Sequence, residues 1–419
     1  MLRVRTFRQL IHGASDCFGE RPFFVDDRFL GTVSYTDLLR FSSGLEIQLD
    51  ALGIPVGARV ATLFNNCAMA ALLFLGVIAS GRVLVPLNPR TTRDELEYVL
   101  DKVACAAVIV DPVYATTRNY GGRTTIPVPD HHQYFARRYA ERAAGSNVSR
   151  VANSMGFLSG EIVVSTGSST RPSGVVLSED SLICSAAALA EVYELRSADR
   201  FLTVCPLFQS NGQVFTTLAC ALTGGWTVAV DPDLAMRHFW GHVEKYRPSW
   251  SFSTPALLSA LLADPEEPTY QAPTGGLLVA SSASDATLVR RFETRFRIPV
   301  RMVYGRSETA SISTCEYLDP EPRSLGSCGR PLPICRVRID EKSISDSHRH
   351  GSGEHRRGEI LISGANVFDG YVGNPGLSAC RKCDGWLRTG DVGYFDELDN
   401  LFIVDRLDSA GARLAGCPS

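Results

Sequence analysis

Four shortages in this 419-residue chain each remove a class of function. Long apolar runs are missing: the longest, Ala68 to Ala79, is about one buried helix, well under the ~20 residues of a membrane span. Charge of one sign is missing too, since 42 Lys and Arg against 45 Asp and Glu leave a formal net charge of −3. Without a basic stripe or an acidic tail, neither nucleic acid nor a basic protein is indicated as a partner. A secretory leader is not expected, because Met1-Leu2-Arg3-Val4-Arg5-Thr6-Phe7 has arginines but no apolar segment, and a cytoplasmic location is expected. Nor do the twelve cysteines form a disulfide framework. They are scattered, as at Cys17, Cys67, Cys105, Cys184, Cys205 and Cys220, mostly in apolar runs, the distribution of free thiols in a reducing compartment. Cys380 and Cys383 have metal-ligand spacing, with His348 and His350 nearest. No second CxxC or HxxxH completes four zinc ligands, so a loop with two cysteines is expected.

What is present is an ordinary globular composition, 45% apolar and 21% charged, long enough for two or three packed units. From residue 34 to 112 the periodicity alternates. Tyr35 to Leu52 reads as a helix, Arg59 to Phe64 as a strand, Ala68 to Ala79 as a helix and Val83 to Leu87 as a strand. Thr92 to Leu100 and Ala106 to Val110 repeat the pair. That rhythm predicts a mostly parallel sheet with helices on both faces. Residues 113–160 are less regular, and the rhythm resumes from Glu161 to about Phe296. After Pro320 short strand candidates (Val337 to Ile339, Glu359 to Ile362, Leu401 to Val404) lie between Gly/Pro turns. They predict a small antiparallel or barrel-like β unit, with residues 341–357 as a polar surface loop.

Several segments carry chemistry. At Val164 to Val175 an apolar strand runs into the loop Thr166-Gly167-Ser168-Ser169-Thr170-Arg171-Pro172-Ser173-Gly174. Small hydroxyl residues let backbone N–H groups approach phosphate oxygens, although the GxxxxGK[ST] pattern of a Walker loop is absent. Val303-Tyr304-Gly305-Arg306-Ser307-Glu308-Thr309 follows a second apolar strand. Gly358 to Gly364, Asn366, Gly370-Tyr371, Gly385 to Tyr394 and Asp405-Arg406 come next. Taken singly, Asp391 reads equally as a turn residue and Glu308 as a helix-start carboxylate.

Together and in this order, these segments resemble the adenylate-forming (AMP-forming) acyl-CoA synthetase superfamily. Ser34 to Leu38, Leu52-Gly53, Gly57 to Val60 and Pro86-Leu87-Asn88-Pro89 agree with it. The resemblance implies an α/β fold with two doubly wound α/β subdomains and a small β-barrel-like one. The paired subdomains would fill residues 1–320, the β unit 321–404 and a hinge stub 405–419. It implies activation of a small-molecule carboxylic acid, acyl or aryl, by ATP and Mg²⁺ to an acyl-adenylate. The acyl group would then pass to CoA or to a carrier-protein phosphopantetheine thiol. Thr166, Gly167, Ser168, Ser169, Thr170, Arg171 and Gly174 would hold the β- and γ-phosphates. Glu308 would ligate the metal and Ser307 would contact the α-phosphate. Tyr304 and Gly305 would flank adenine, with Ser281, Ser282 and Ala283 along the adenine and acyl channel. Asp391 would accept from both ribose hydroxyls, a task for an acceptor-only carboxylate, and Arg406 would donate to the ribose or phosphate side. Phe208, Gln209, Gly212, Phe252 and Pro255 would line the acyl pocket.

The chain also departs from the family pattern. Thr170 stands where the pattern has Gly, Ser173 where it has Lys, and Gln209 where it has His. Ser173 removes a positive charge beside the leaving pyrophosphate, which Arg171 offsets in part. Asp408 fits the hinge position, but residues 409–419 do not continue the pattern. The C-terminal domain with the catalytic lysine is therefore expected from another chain. Two alternatives stay open: a non-catalytic nucleotide- or acyl-binding partner of another synthetase, and a truncated inactive relative.

Overall fold

Helix Tyr35–Ala51 shows how local chemistry sets the elements. The Ser34 hydroxyl accepts the Asp37 N–H, and the Asp37 carboxylate accepts the Ser34 N–H, which satisfies donors that the first turn leaves free. The same reciprocal cap, Thr92 with Glu95, starts helix Arg93–Lys102. Tyr35, Leu38, Phe41, Leu45 and Leu49 form the buried face of the first helix. Helix Ala68–Ala79 is buried on nearly every side, as an all-apolar helix between layers must be. The computed structural model describes residues 1–26, 31–128, 159–165, 172–265, 268, 275–280, 285–318, 323–343 and 355–407.

Among the described residues the strands form three sheets. The seven-stranded sheet runs Gly370–Tyr371, Ser173–Ser178, Gly160–Ser165, Val83–Leu87, Arg59–Leu63, Ala107–Val110, Thr124–Pro127. Its strands pair in parallel except at the Ser173–Ser178 strand, which is antiparallel to both its neighbours. The nine-stranded sheet has a parallel centre of Val300–Tyr304, Gly276–Ala280, Trp250–Ser253, Arg200–Thr203, Trp226–Ala229 and Pro22–Asp26, with antiparallel edges. The third sheet is antiparallel and built from residues 335–406.

One core joins the two large sheets: Leu84, Val163 and Val175 of the first share it with Phe201, Phe252, Leu278 and Val303 of the second. The helices and strands expected between residues 34 and 112 are all present, with ends shifted by a residue or so. Two things differ. Residues 173–178 form a strand rather than the end of a loop, because Gly174 and its neighbours pair with Gly160–Ser165. Arg330–Pro331 and Gly370–Tyr371, from the segment expected to form only the small β unit, add edge strands to the large sheets.

Candidate active site

A cleft of about 880 Å³ opens where strands of both large sheets end. Pro86 and Leu87, Val163 and Val164, Ala280, and Val303 with Tyr304 contribute its wall from four such ends. Ligands of open α/β sheets gather outside the carboxyl ends of strands. The segment after strand Arg200–Thr203 is pinned into the wall by Asn66. Its amide donates to the Cys205 carbonyl at 2.8 Å and accepts from the Leu207 N–H at 2.8 Å. That sets Phe208 and Gln209 facing the cleft.

The polar centre is a ring of charges from distant parts of the chain. Tyr304 donates its hydroxyl to Asp391 Oδ2 at 2.8 Å, and Arg306 Nη1 donates to the same oxygen at 2.8 Å. Arg306 Nε reaches Glu308 Oε2 at 3.4 Å. Tyr371 donates to Glu308 Oε1 at 2.8 Å. Arg406 Nε lies 3.2 Å from Asp391 Oδ1, an ion pair without hydrogen-bond alignment. Two carboxylates thus face two guanidiniums, and the ring is close to neutral. Burial alone would raise the Glu308 pKa, but Arg306 and the Tyr371 hydroxyl outweigh it and hold the carboxyl below its ordinary value. Burial would likewise lower Arg306, and the Glu308 and Asp391 charges reverse that, so it stays cationic. Tyr304 and Tyr371 are pushed up, first by burial and then by the carboxylates they face, and remain donors.

Backbone geometry aims these side chains. Gly305 passes so close to the following turn that a Cβ would lie 1.7 Å from the Ser311 carbonyl oxygen. Ala310 and Ser311 hold positive φ, 48° and 96°, a strain that tends to collect at functional sites. Ser311 is tied down by donating to Asn211 Oδ1 at 2.8 Å. Gly390 at φ 76° bends strand Trp386–Phe395 just before Asp391. Glu359 Oε1 accepts the Gly390 N–H there at 3.1 Å.

A family model described as AMP-binding enzyme matches residues 13–372. The chain belongs to the AMP-binding enzyme family. Its relatives are adenylate-forming CoA ligases. A 2-succinylbenzoate–CoA ligase of Bacillus pumilus is 28% identical over 376 residues, 89% of this chain and 73% of that protein. A sulfoacetate–CoA ligase of Cupriavidus necator is 30% identical over 400 residues, 92% of this chain and 75% of that one. The inhibitor-bound N-terminal domain of FACL13 from Mycobacterium tuberculosis superposes with a TM-score of 0.81 at 22% identity, covering 96% of this chain and 100% of that one. O-succinylbenzoate coenzyme A synthetase (MenE) from Bacillus subtilis, in complex with AMP, gives 0.79 at 20% identity, covering 96% and 79%. At that identity the two structures carry the adenylate-forming fold.

Of the residues that the sequence singled out in this AMP-binding enzyme, Phe208, Gln209, Tyr304, Gly305, Ser307, Glu308, Asp391 and Arg406 line the cleft. Gly174 does not. It sits in a strand opposite Val164, where a Cβ would lie 2.9 Å from Ile162 and 3.1 Å from Val372. Phe252 is in the core against the Phe215 ring, and Pro255 opens helix Pro255–Ala263. Gly212 packs on the Pro206 carbonyl, 2.9 Å from where a Cβ would stand. These three are not in the cleft wall. Thr166, Gly167, Ser168, Ser169, Thr170, Arg171, Ser281, Ser282 and Ala283 lie outside the described residues, as do His348, His350 and residues 408–419. Sequence reasoning quoted Arg306 and Tyr371 but gave them no role. The spacing of Arg306 and Glu308 hints at a local pair, whereas nothing in the sequence ties either arginine to Asp391. No helix among the described residues is long and apolar enough to cross a membrane.

Proposed function

We propose that this AMP-binding enzyme activates a carboxylic acid with ATP and passes the acyl group to a thiol. What supports it most is the ring of Tyr304, Arg306, Glu308 and Asp391 at the meeting of the two sheets. An oxygen of the acid carboxylate attacks the α-phosphorus, the bond to the bridging oxygen of the β-phosphate breaks, and pyrophosphate leaves with that electron pair. The enzyme's work is to hold both reactants in line and offset charge. Asp391 takes the ribose hydroxyls once Tyr304 and Arg306 release it. Arg306 then turns its free N–H groups toward phosphate oxygens and supplies positive charge there, in a chain that has Ser173 where the family pattern has Lys. Ser307 donates to the α-phosphate.

Glu308 fits a magnesium ligand. It is ionised and 5% exposed, and no group of three or more His, Cys, Asp or Glu among the described residues could hold a metal. One carboxylate plus substrate phosphates is a usual Mg²⁺ environment. When bound there, the ion would offset triphosphate charge. The acceptor is CoA or a carrier-protein phosphopantetheine, and the acid is small, acyl or aryl, as in the relatives' names. A cytoplasmic setting belongs to the same reading.

The experiment is calorimetric titration with Mg·ATP and AMP, followed by an acid-dependent pyrophosphate assay. Micromolar binding that disappears in Asp391→Ala, with pyrophosphate release on a matching acid, is expected. Folded protein that binds neither nucleotide would sink the proposal. Ser173 favours one second reading, a non-catalytic nucleotide- or acyl-binding partner of another synthetase, which predicts binding without release for every acid.

A further inference from the structure

Three side chains of the cleft wall, Pro86, Leu87 and Phe208, also wall a second and much smaller chamber. It offers about 10 Å³, room for one water or one hydroxyl group. Phe64, Leu84 and Leu207 give it apolar sides, and Thr62 and Gln213 give it polar ones. Gln213 is 1% exposed, and neither atom of its amide has a hydrogen-bond partner. Beside it stands Glu161 of strand Gly160–Ser165, fully buried, with both carboxyl oxygens equally unpartnered. The Gln213 amide pulls the Glu161 pKa down as a hydrogen-bonding neighbour, although the contact falls outside strict hydrogen-bond geometry. Burial pushes Glu161 up to about 8, so near neutral pH the carboxyl is mostly protonated and both donates and accepts.

Four polar atoms without well-formed hydrogen bonds at one spot in an apolar core are costly. A pair kept only for packing would close on itself or be replaced by apolar side chains at little cost. The local helix supports a special placement. Gln213 ends the turn Ser210–Gln213 and leads into a stretch of π-helix, Val214–Ala219, a geometry found most often at functional sites.

We infer that the chamber is the tail subsite for the acid: the Gln213 amide, backed by Glu161, receives a single hydroxyl at the end of the substrate remote from the carboxylate being activated. This rests on the reading of the cleft as an acid-activating site. A hydroxyl fits by size, because the space takes one non-hydrogen atom, and by chemistry, because it donates and accepts at once. A methyl group would leave the polar atoms unpaired. A second carboxylate would bury an anion with no cation among the described residues of the chamber wall to offset it. An ammonium would lose its hydration against Phe64, Leu84 and Leu207.

The test uses acids of matched length ending in hydroxyl, methyl or carboxylate, with alkyl and aryl bodies. Binding to the protein with AMP present is measured by calorimetry, and pyrophosphate release is measured separately. The best hydroxyl-ended acid should bind at least about tenfold tighter than its methyl counterpart. In Gln213→Leu that ratio should fall toward one, while the methyl-ended acid keeps its affinity, which shows the variant is folded. Glu161→Gln, which keeps shape and hydrogen bonding, should retain the preference. Equal affinities, a preference for methyl or carboxylate ends, or an unchanged ratio in Gln213→Leu would overturn the inference. The two failures separate cleanly. Hydroxyl-selective binding without pyrophosphate release sinks the reaction alone, and release without hydroxyl preference sinks the subsite alone.

Discussion

Replacing Glu161 with glutamine probes the buried carboxyl through pH. Burial raises this group from its ordinary 4.5 to about 8, with Gln213 pulling slightly the other way. Between those two values the unfolded chain has lost the proton and the folded chain still holds it. The folded state then binds more protons, so stability falls as pH rises. The contribution is fully present below about pH 4.5 and gone above about pH 8. At ~1.4 kcal/mol per pH unit, the whole span amounts to roughly 5 kcal/mol, with no discount for exposure because the side chain is fully buried. Glu161→Gln preserves the shape and removes the titration. Urea unfolding of both proteins at several pH values gives a difference curve from which the other titrating groups cancel. Wild type minus variant should fall by ~1.4 kcal/mol per unit from about pH 5 to about pH 8, leaving the variant relatively more stable at the alkaline end. A flat difference curve would refute the reasoning, since Glu161 would then titrate alike in both states.

Three further outcomes follow from the charge ring. Arg306→Met leaves Asp391 and Glu308 without their shared cation and should destabilise the fold by ~3–5 kcal/mol in denaturant titration. Arg306→Lys should restore part of this. Tyr371→Phe removes one of the groups that hold the Glu308 pKa down. The stability that this low pKa supplies is present above the ordinary carboxylate range and lost as pH falls, so the acid-unfolding midpoint should move to higher pH. Gly305→Ala places a Cβ 1.7 Å from the Ser311 carbonyl oxygen. It should abolish AMP binding by calorimetry while far-UV circular dichroism changes little.

Much of the architecture was legible because it is written in local periodicity. Helix Tyr35–Ala51 carries its own cap at Ser34 and a heptad-like apolar face. The strands at 59–63, 83–87 and 107–110 are short apolar runs whose ends are marked by turns. Ser173 and Gly174 read as the end of the loop from Thr166 because both are turn formers, yet they open the strand at 173–178. That strand forms because its partner Gly160–Ser165 offers a complete ladder. Phe252 looked like a pocket residue and is a core residue, since a strand's sequence does not say which of its ends or faces a ligand will use.

The sequence by itself determined the family and the α/β class, and it named eight of the residues that line the cleft, because motif order and apolar spacing are properties of the chain. Only the tertiary structure decided that Arg306 joins Asp391 to Glu308, that Tyr371 holds Glu308, and that Gln213, next to the buried Glu161, walls the same small chamber as Phe208. Those relations span separations such as the 85 residues between Arg306 and Asp391. They depend on which strand ends converge, and on burial that turns a surface-like Glu into a core group. Neither is encoded in any local window of residues.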